Sequence, residues 1–131
     1  VAGAEDTVYH LGDFACYLSR EEIKEIANRL NGRKILIAGN HDRMFTTRDW
    51  LDFGFDEVYF LPAVLADFYI LSHEPVYVNI NSPYANIFGH VHGNPMYQDV
   101  SARSFCACVE RIGYAPVPFE SVKQAILDQN R

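Results

Sequence analysis

An α/β fold in a single domain is the expectation for this chain, and three observations predict it. A capped amphipathic helix stands between two β-like segments. Ile35-Leu36-Ile37 is a short apolar run of the kind found in a strand buried on both faces, as in parallel sheets. Four strand-like segments each run into a polar turn holding Asp, Asn or His.

Taken in order, the segment from Asp6 to Leu11 is β-like and stops at Gly12-Asp13. A helix is expected from about Ser19. Ser19 and Glu22 have capping-box spacing, Ile23, Ile26, Ala27 and Leu30 form an i, i+3, i+4, i+7 stripe, and Gly32 is a suitable stop. Lys34 to Ala38 follows as a strand, which makes a β-α-β unit, and leads directly into Gly39-Asn40-His41-Asp42. Thr47 to Phe53 reads as a short helix. Val58 to Leu61, Phe68 to Leu71 and Asn86 to Phe88 read as strands, the last two ending in histidine segments. Beyond Tyr97 the pattern is β-rich, with Val100, Phe105 to Ile112, a Pro116-Val117-Pro118 turn and a closing helix from about Glu120 to Gln129. A strand opening within the first eight residues, after Val1 rather than Met, reads as a beginning in mid-fold.

At 131 residues, 49% of them hydrophobic, the chain is of a size that buries a core as one domain. No apolar run reaches the ~18 residues of a membrane span. Glu5, Asp6 and Asp13 do not suit a signal peptide, so a soluble, cytoplasmic protein is expected. Cys16, Cys106 and Cys108 are odd in number, a poor basis for a disulfide framework and suited to a reducing compartment. Cys106 and Cys108 share one face of an expected strand and read first as small buried hydrophobes, a redox or metal role coming second. The net charge of −6 argues against a broad basic surface for nucleic acid. A phosphate ester remains open as substrate, because bound divalent cations reverse the local field.

Ligands of open α/β sheets gather where strands end at the carboxyl edge, so Asp13, Asn40, His73 and His90 are candidates to converge. Carboxylate, amide oxygen and imidazole suit divalent metals of the Mn, Fe, Zn and Ni class. In order the chain presents Gly12-Asp13, Gly39-Asn40-His41-Asp42, Ser72-His73-Glu74-Pro75 and Gly89-His90-Val91-His92-Gly93. Each alone is weak. All four in sequence resemble the pattern of the calcineurin-like metallophosphoesterases, over Tyr9 to His92.

The resemblance implies two packed mixed β-sheets flanked by helices, an α/β/β/α sandwich, and hydrolysis of phosphomonoesters or phosphodiesters by a bridging hydroxide on two divalent metals. It makes Asp13 the bridging carboxylate, Asn40, His73 and His90 the rest of the second metal's shell, and His92 a ligand of the first. The family's remaining ligands for that first metal come from an Asp-x-His motif on an earlier strand, and none precedes Gly12 here. A degenerate or truncated single-metal scaffold without turnover is therefore the alternative, and a nuclease a lesser one. His41 takes the catalytic-histidine position, beside the phosphate. Asp42 is open to two readings, orienting that ring or capping the loop. Asn40 and His41 face substrate in this pattern, and Arg43 is read either as a further phosphate contact or as a solvated loop arginine. His10, three residues before Asp13 and inside the strand, is read as structural. The residues specify neither a native metal nor an oligomeric state.

Overall fold

The computed structural model describes residues 5–14, 18–79, 81–89, 103–107 and 117–129. Two sheets, of three and four strands, and three α-helices make up a mixed α/β fold. The chain divides into two compact units, Val1–Leu61 and Pro62–Arg131.

In the first unit, strands β1 (Thr7–His10), β2 (Arg33–Ile37) and β3 (Glu57–Tyr59) pair in that order. Both pairings are parallel, so this sheet is parallel throughout its described strands rather than mixed. Helix α1 (Arg20–Arg29) makes the crossover between β1 and β2. Its start is set chemically: the Ser19 hydroxyl accepts the Glu22 amide, and the Glu22 carboxylate accepts the Ser19 amide. Of the expected stripe, Ile23 and Ala27 are buried whereas Leu30 is exposed, because the chain leaves the helix there.

Helix α2 (Thr47–Phe53) begins with a second capping box, from Thr46 and Asp49. It ends at Gly54, whose φ of 116° is left-handed, and a Cβ there would come within 3.0 Å of Asn28 Oδ1. Glycine is required both by the backbone turn and by the close approach of α1. The core of this unit is aromatic: Phe45, Trp50, Phe53 and Phe55 pack with Ile23, Ala27, Leu36 and Ala38. Trp50 meets Phe45, Phe53 and Phe55 edge to face at 5.3–5.7 Å between centroids. Its indole N–H donates to the Asp42 carbonyl at 3.1 Å, so the core side chain also ties down the loop after β2.

In the second unit, β4 (Ala63–Leu65), β5 (Tyr69–Ser72), β6 (Ala85–Phe88) and β7 (Ser104–Cys106) lie side by side in that order. β4 is antiparallel to β5, and the other pairings are parallel. β4 was not expected. It joins β5 through Ala66 and Asp67, both at positive φ (55° and 56°), with the Phe68 amide donating to the Leu65 carbonyl at 3.2 Å. This is the tight hairpin turn that Asn-Gly or Asp-Gly usually signals, made here by Ala66-Asp67 without a glycine. Helix α3 (Phe119–Gln129) buries Val122 and Ile126. The expected features at Cys16, Val100, Cys108 and Pro116 lie outside the described residues. Among the described residues, no helix is long and apolar enough to cross a membrane.

Candidate functional site

Parallel pairing decides what the first unit brings together. Because β1 and β2 run side by side in the same direction, their carboxyl ends share one edge of the sheet. The β1 strand leaves through Gly12 (φ 100°) and Asp13 (φ 56°), two consecutive left-handed residues. Asp is among the residues that tolerate this conformation, at some cost, and such outliers concentrate at functional sites. The turn aims the Asp13 carboxylate across to the loop after β2, where Oδ1 accepts the backbone N–H of His41 at 3.1 Å.

That loop is a short 3-10 helix, Asn40–Met44. Asp42 lies within it, fully buried, and its Oδ2 accepts the Gly39 N–H at 2.8 Å. Of the two readings of Asp42, this contact is the loop-capping one. Asn40 and His41 are exposed, on a backbone held by Asp13, Asp42 and the Trp50 indole. Arg43 donates to the Phe60 carbonyl at 3.0 Å and so fastens the loop to the segment after β3.

The second unit repeats the device with β5 and β6. β5 runs into His73, which is buried, and β6 runs into Gly89, whose N–H donates to the His73 carbonyl at 3.0 Å. The next residue, His90, and likewise His92, lie outside the described residues.

Asp13, Asn40 and His73 offer carboxylate, amide oxygen and imidazole, which suit a borderline divalent cation. They fall in different units, however, and among the described residues no three His, Cys, Asp or Glu side chains gather to hold an ion.

His10 is structural in its surroundings. Its ring stands edge-on to Phe14 and Phe55 at 5.3 and 5.5 Å, and its Nε2 is buried with no hydrogen-bond partner among the described residues. Burial, with a lesser push from the Lys34 charge, lowers its pKa from 6.5 to about 4. Two polar residues with visible work were missed by sequence reasoning, Asn86 and Ser72, both buried in the second sheet. The available signal was an asparagine inside an otherwise apolar strand.

No family model matches the chain, and no curated protein matches it either. A crystal structure of a protein of unknown function from Aquifex aeolicus is similar to it, at 28% identity and a TM-score of 0.69. The match covers 96% of this chain and 79% of that one. The likeness supports the α/β fold and brings no activity with it.

Proposed function

We propose that this chain is a metal-dependent phosphoesterase of the calcineurin-like class, acting on phosphomonoesters or phosphodiesters, with its two sheets packed as an α/β/β/α sandwich. One observation carries the reading: the His41 amide donates to Asp13 Oδ1 at 3.1 Å. A carboxylate on a strained turn and an Asn-His loop, expected from sequence to act together, stand bonded at the carboxyl edge of a parallel strand pair.

Asp13, Asn40, His73 and His90 would hold one divalent cation, and Asp13 and His92 would contribute to a second. When bound, cations of the Mn, Fe, Zn or Ni class supply charge neutralisation and acidify a water. The chain's own contribution is positioning and proton transfer. Asn40 and His41 are exposed on a backbone pinned from both sides, so the imidazole can approach a phosphate without loosening the loop. There it would hold a proton against the developing charge and deliver it to the leaving oxygen. Asp42 acts through the loop's shape rather than on substrate, and Arg43 through its tether to Phe60.

The test is hydrolysis of an aryl phosphate monoester and the matching diester by the Mn2+-loaded chain, with His41→Ala and Asn40→Ala beside it. His41→Ala should lower kcat by about 10²-fold or more with Mn2+ binding unchanged. Asn40→Ala should weaken Mn2+ binding measured by calorimetry. If both variants keep full activity, the assignment is wrong. One bound metal and no turnover of either ester would favour the single-metal scaffold.

A further inference from the structure

We infer that Asn86 and Ser72 are positioning residues for His73, and that their hydrogen bonds fix the backbone turn from which its imidazole projects. The inference rests on the proposal that His73 binds a metal, and the observations behind it are confined to the second unit. Asn86 is 0% exposed, in the middle of a strand whose other residues, Ala85, Ile87 and Phe88, are apolar and buried. An amide in that place is costly unless its donors and acceptor are met.

They are met in a particular way. The Asn86 Nδ2 donates to the Ile70 carbonyl and to Ser72 Oγ, both at 2.9 Å. Its Oδ1 accepts the Val76 N–H at 2.8 Å. Ser72, 2% exposed, passes its own hydroxyl proton on to the Glu74 carbonyl at 2.7 Å. The Gly89 amide holds the His73 carbonyl itself.

The segment from 72 to 76 is thus fastened before, at and after His73, and every fastening except the Ser72–Glu74 bond runs back to β6 or its end. Core packing alone would be served by a leucine or valine at position 86. What the amide adds is reach: two of its three bonds end on the turn that carries His73. These bonds hold the backbone from which the imidazole projects, and where such outer supports orient a ligand, losing one costs on the order of 10–100-fold in metal affinity.

The experiment uses the full chain as wild type, His73→Ala, Ser72→Ala and Asn86→Ala. Mn2+ affinity is read by calorimetry, the visible absorption of the Co2+-loaded protein reports ligand geometry, and far-UV circular dichroism verifies folding. His73→Ala should abolish the tighter site. Ser72→Ala should weaken it about tenfold and Asn86→Ala by about 10–100-fold, each shifting the Co2+ bands. Ser72→Ala removes one hydroxyl, so it keeps the test open if Asn86→Ala does not fold. If His73→Ala loses the site while Ser72→Ala, folded, keeps native affinity and an unshifted Co2+ spectrum, the positioning role is refuted although the metal reading survives. A lowered unfolding midpoint with unmoved Co2+ bands refutes it equally. If His73→Ala binds Mn2+ as wild type does, the metal reading fails and the positioning role with it.

Discussion

His10 makes the stability of the first unit depend on pH in a way that can be worked out in advance. The folded state holds its imidazole neutral, with a pKa of about 4 against 6.5 ordinarily, because the ring is packed against Phe14 and Phe55 with Nε2 out of reach of solvent. The unfolded chain takes up a proton as pH falls through 6.5, while the folded chain resists until about 4. Stability is therefore full above 6.5, declines as pH falls through that window, and levels off below about 4. The whole span is worth about 3 kcal/mol at ~1.4 kcal/mol per pH unit, and between about pH 7.5 and about pH 5 the loss is about 2 kcal/mol.

Trp50 is the only tryptophan and lies in the core of that unit, so its fluorescence during urea unfolding reports the unit selectively. His10→Phe keeps an aromatic edge and removes the proton. Carboxylates that titrate in both proteins cancel when the two stabilities are subtracted at each pH. The difference should grow by about 2 kcal/mol in favour of the variant on going from about pH 7.5 to about pH 5. Parallel curves, agreeing within about 0.5 kcal/mol over that range, would show that the ring is not held neutral by its surroundings.

Other substitutions probe the loops. Asp42→Ala leaves the Gly39 amide without its buried acceptor and should cost about 1–3 kcal/mol by urea unfolding followed at Trp50. Arg43→Ala should lower stability by less than about 1 kcal/mol and leave the KM for an aryl phosphate unchanged, because its guanidinium serves Phe60; a tenfold rise in KM would restore it as a phosphate contact. Asp67→Gly should stabilise the second unit by about 0.5–1 kcal/mol, seen as a raised thermal midpoint, since glycine adopts the left-handed turn without steric penalty.

Sequence reading succeeded where local chemistry decides structure. The Ser19-Glu22 pair specified the start of α1, and the unbroken Ile35-Leu36-Ile37 run specified a strand in a parallel sheet. Once that pairing is known, the meeting of Asp13 with the Asn40-His41 loop follows from geometry. What stayed hidden depends on surroundings rather than on neighbours in sequence. Leu65-Ala66-Asp67-Phe68 announces a hairpin only weakly, because Asp67 is its single turn-forming residue and no Gly accompanies it, and β4 went unseen with it. That Asp42 is buried and accepts the Gly39 amide depends on its surroundings in the same way. Asn86 looked like the first residue of a strand, and only its three partners reveal what it holds.

At the last described strand of the second sheet, the final turn of α3 meets β7. The Gln129 side chain accepts the Ser104 N–H at 3.2 Å and donates back to the Ser104 carbonyl at 2.5 Å. A carboxamide has the same donor and acceptor as a peptide group, so Gln129 meets the Ser104 backbone as a residue of a paired strand would. At that position β7 offers an incoming chain no open pair of backbone groups, the feature by which exposed strands recruit others into aggregates. One glutamine thereby makes the docking of α3 a cover for part of the β7 backbone as well as a source of stability. Truncation before Gln129 would uncover that backbone pair even if the sheet itself stayed folded.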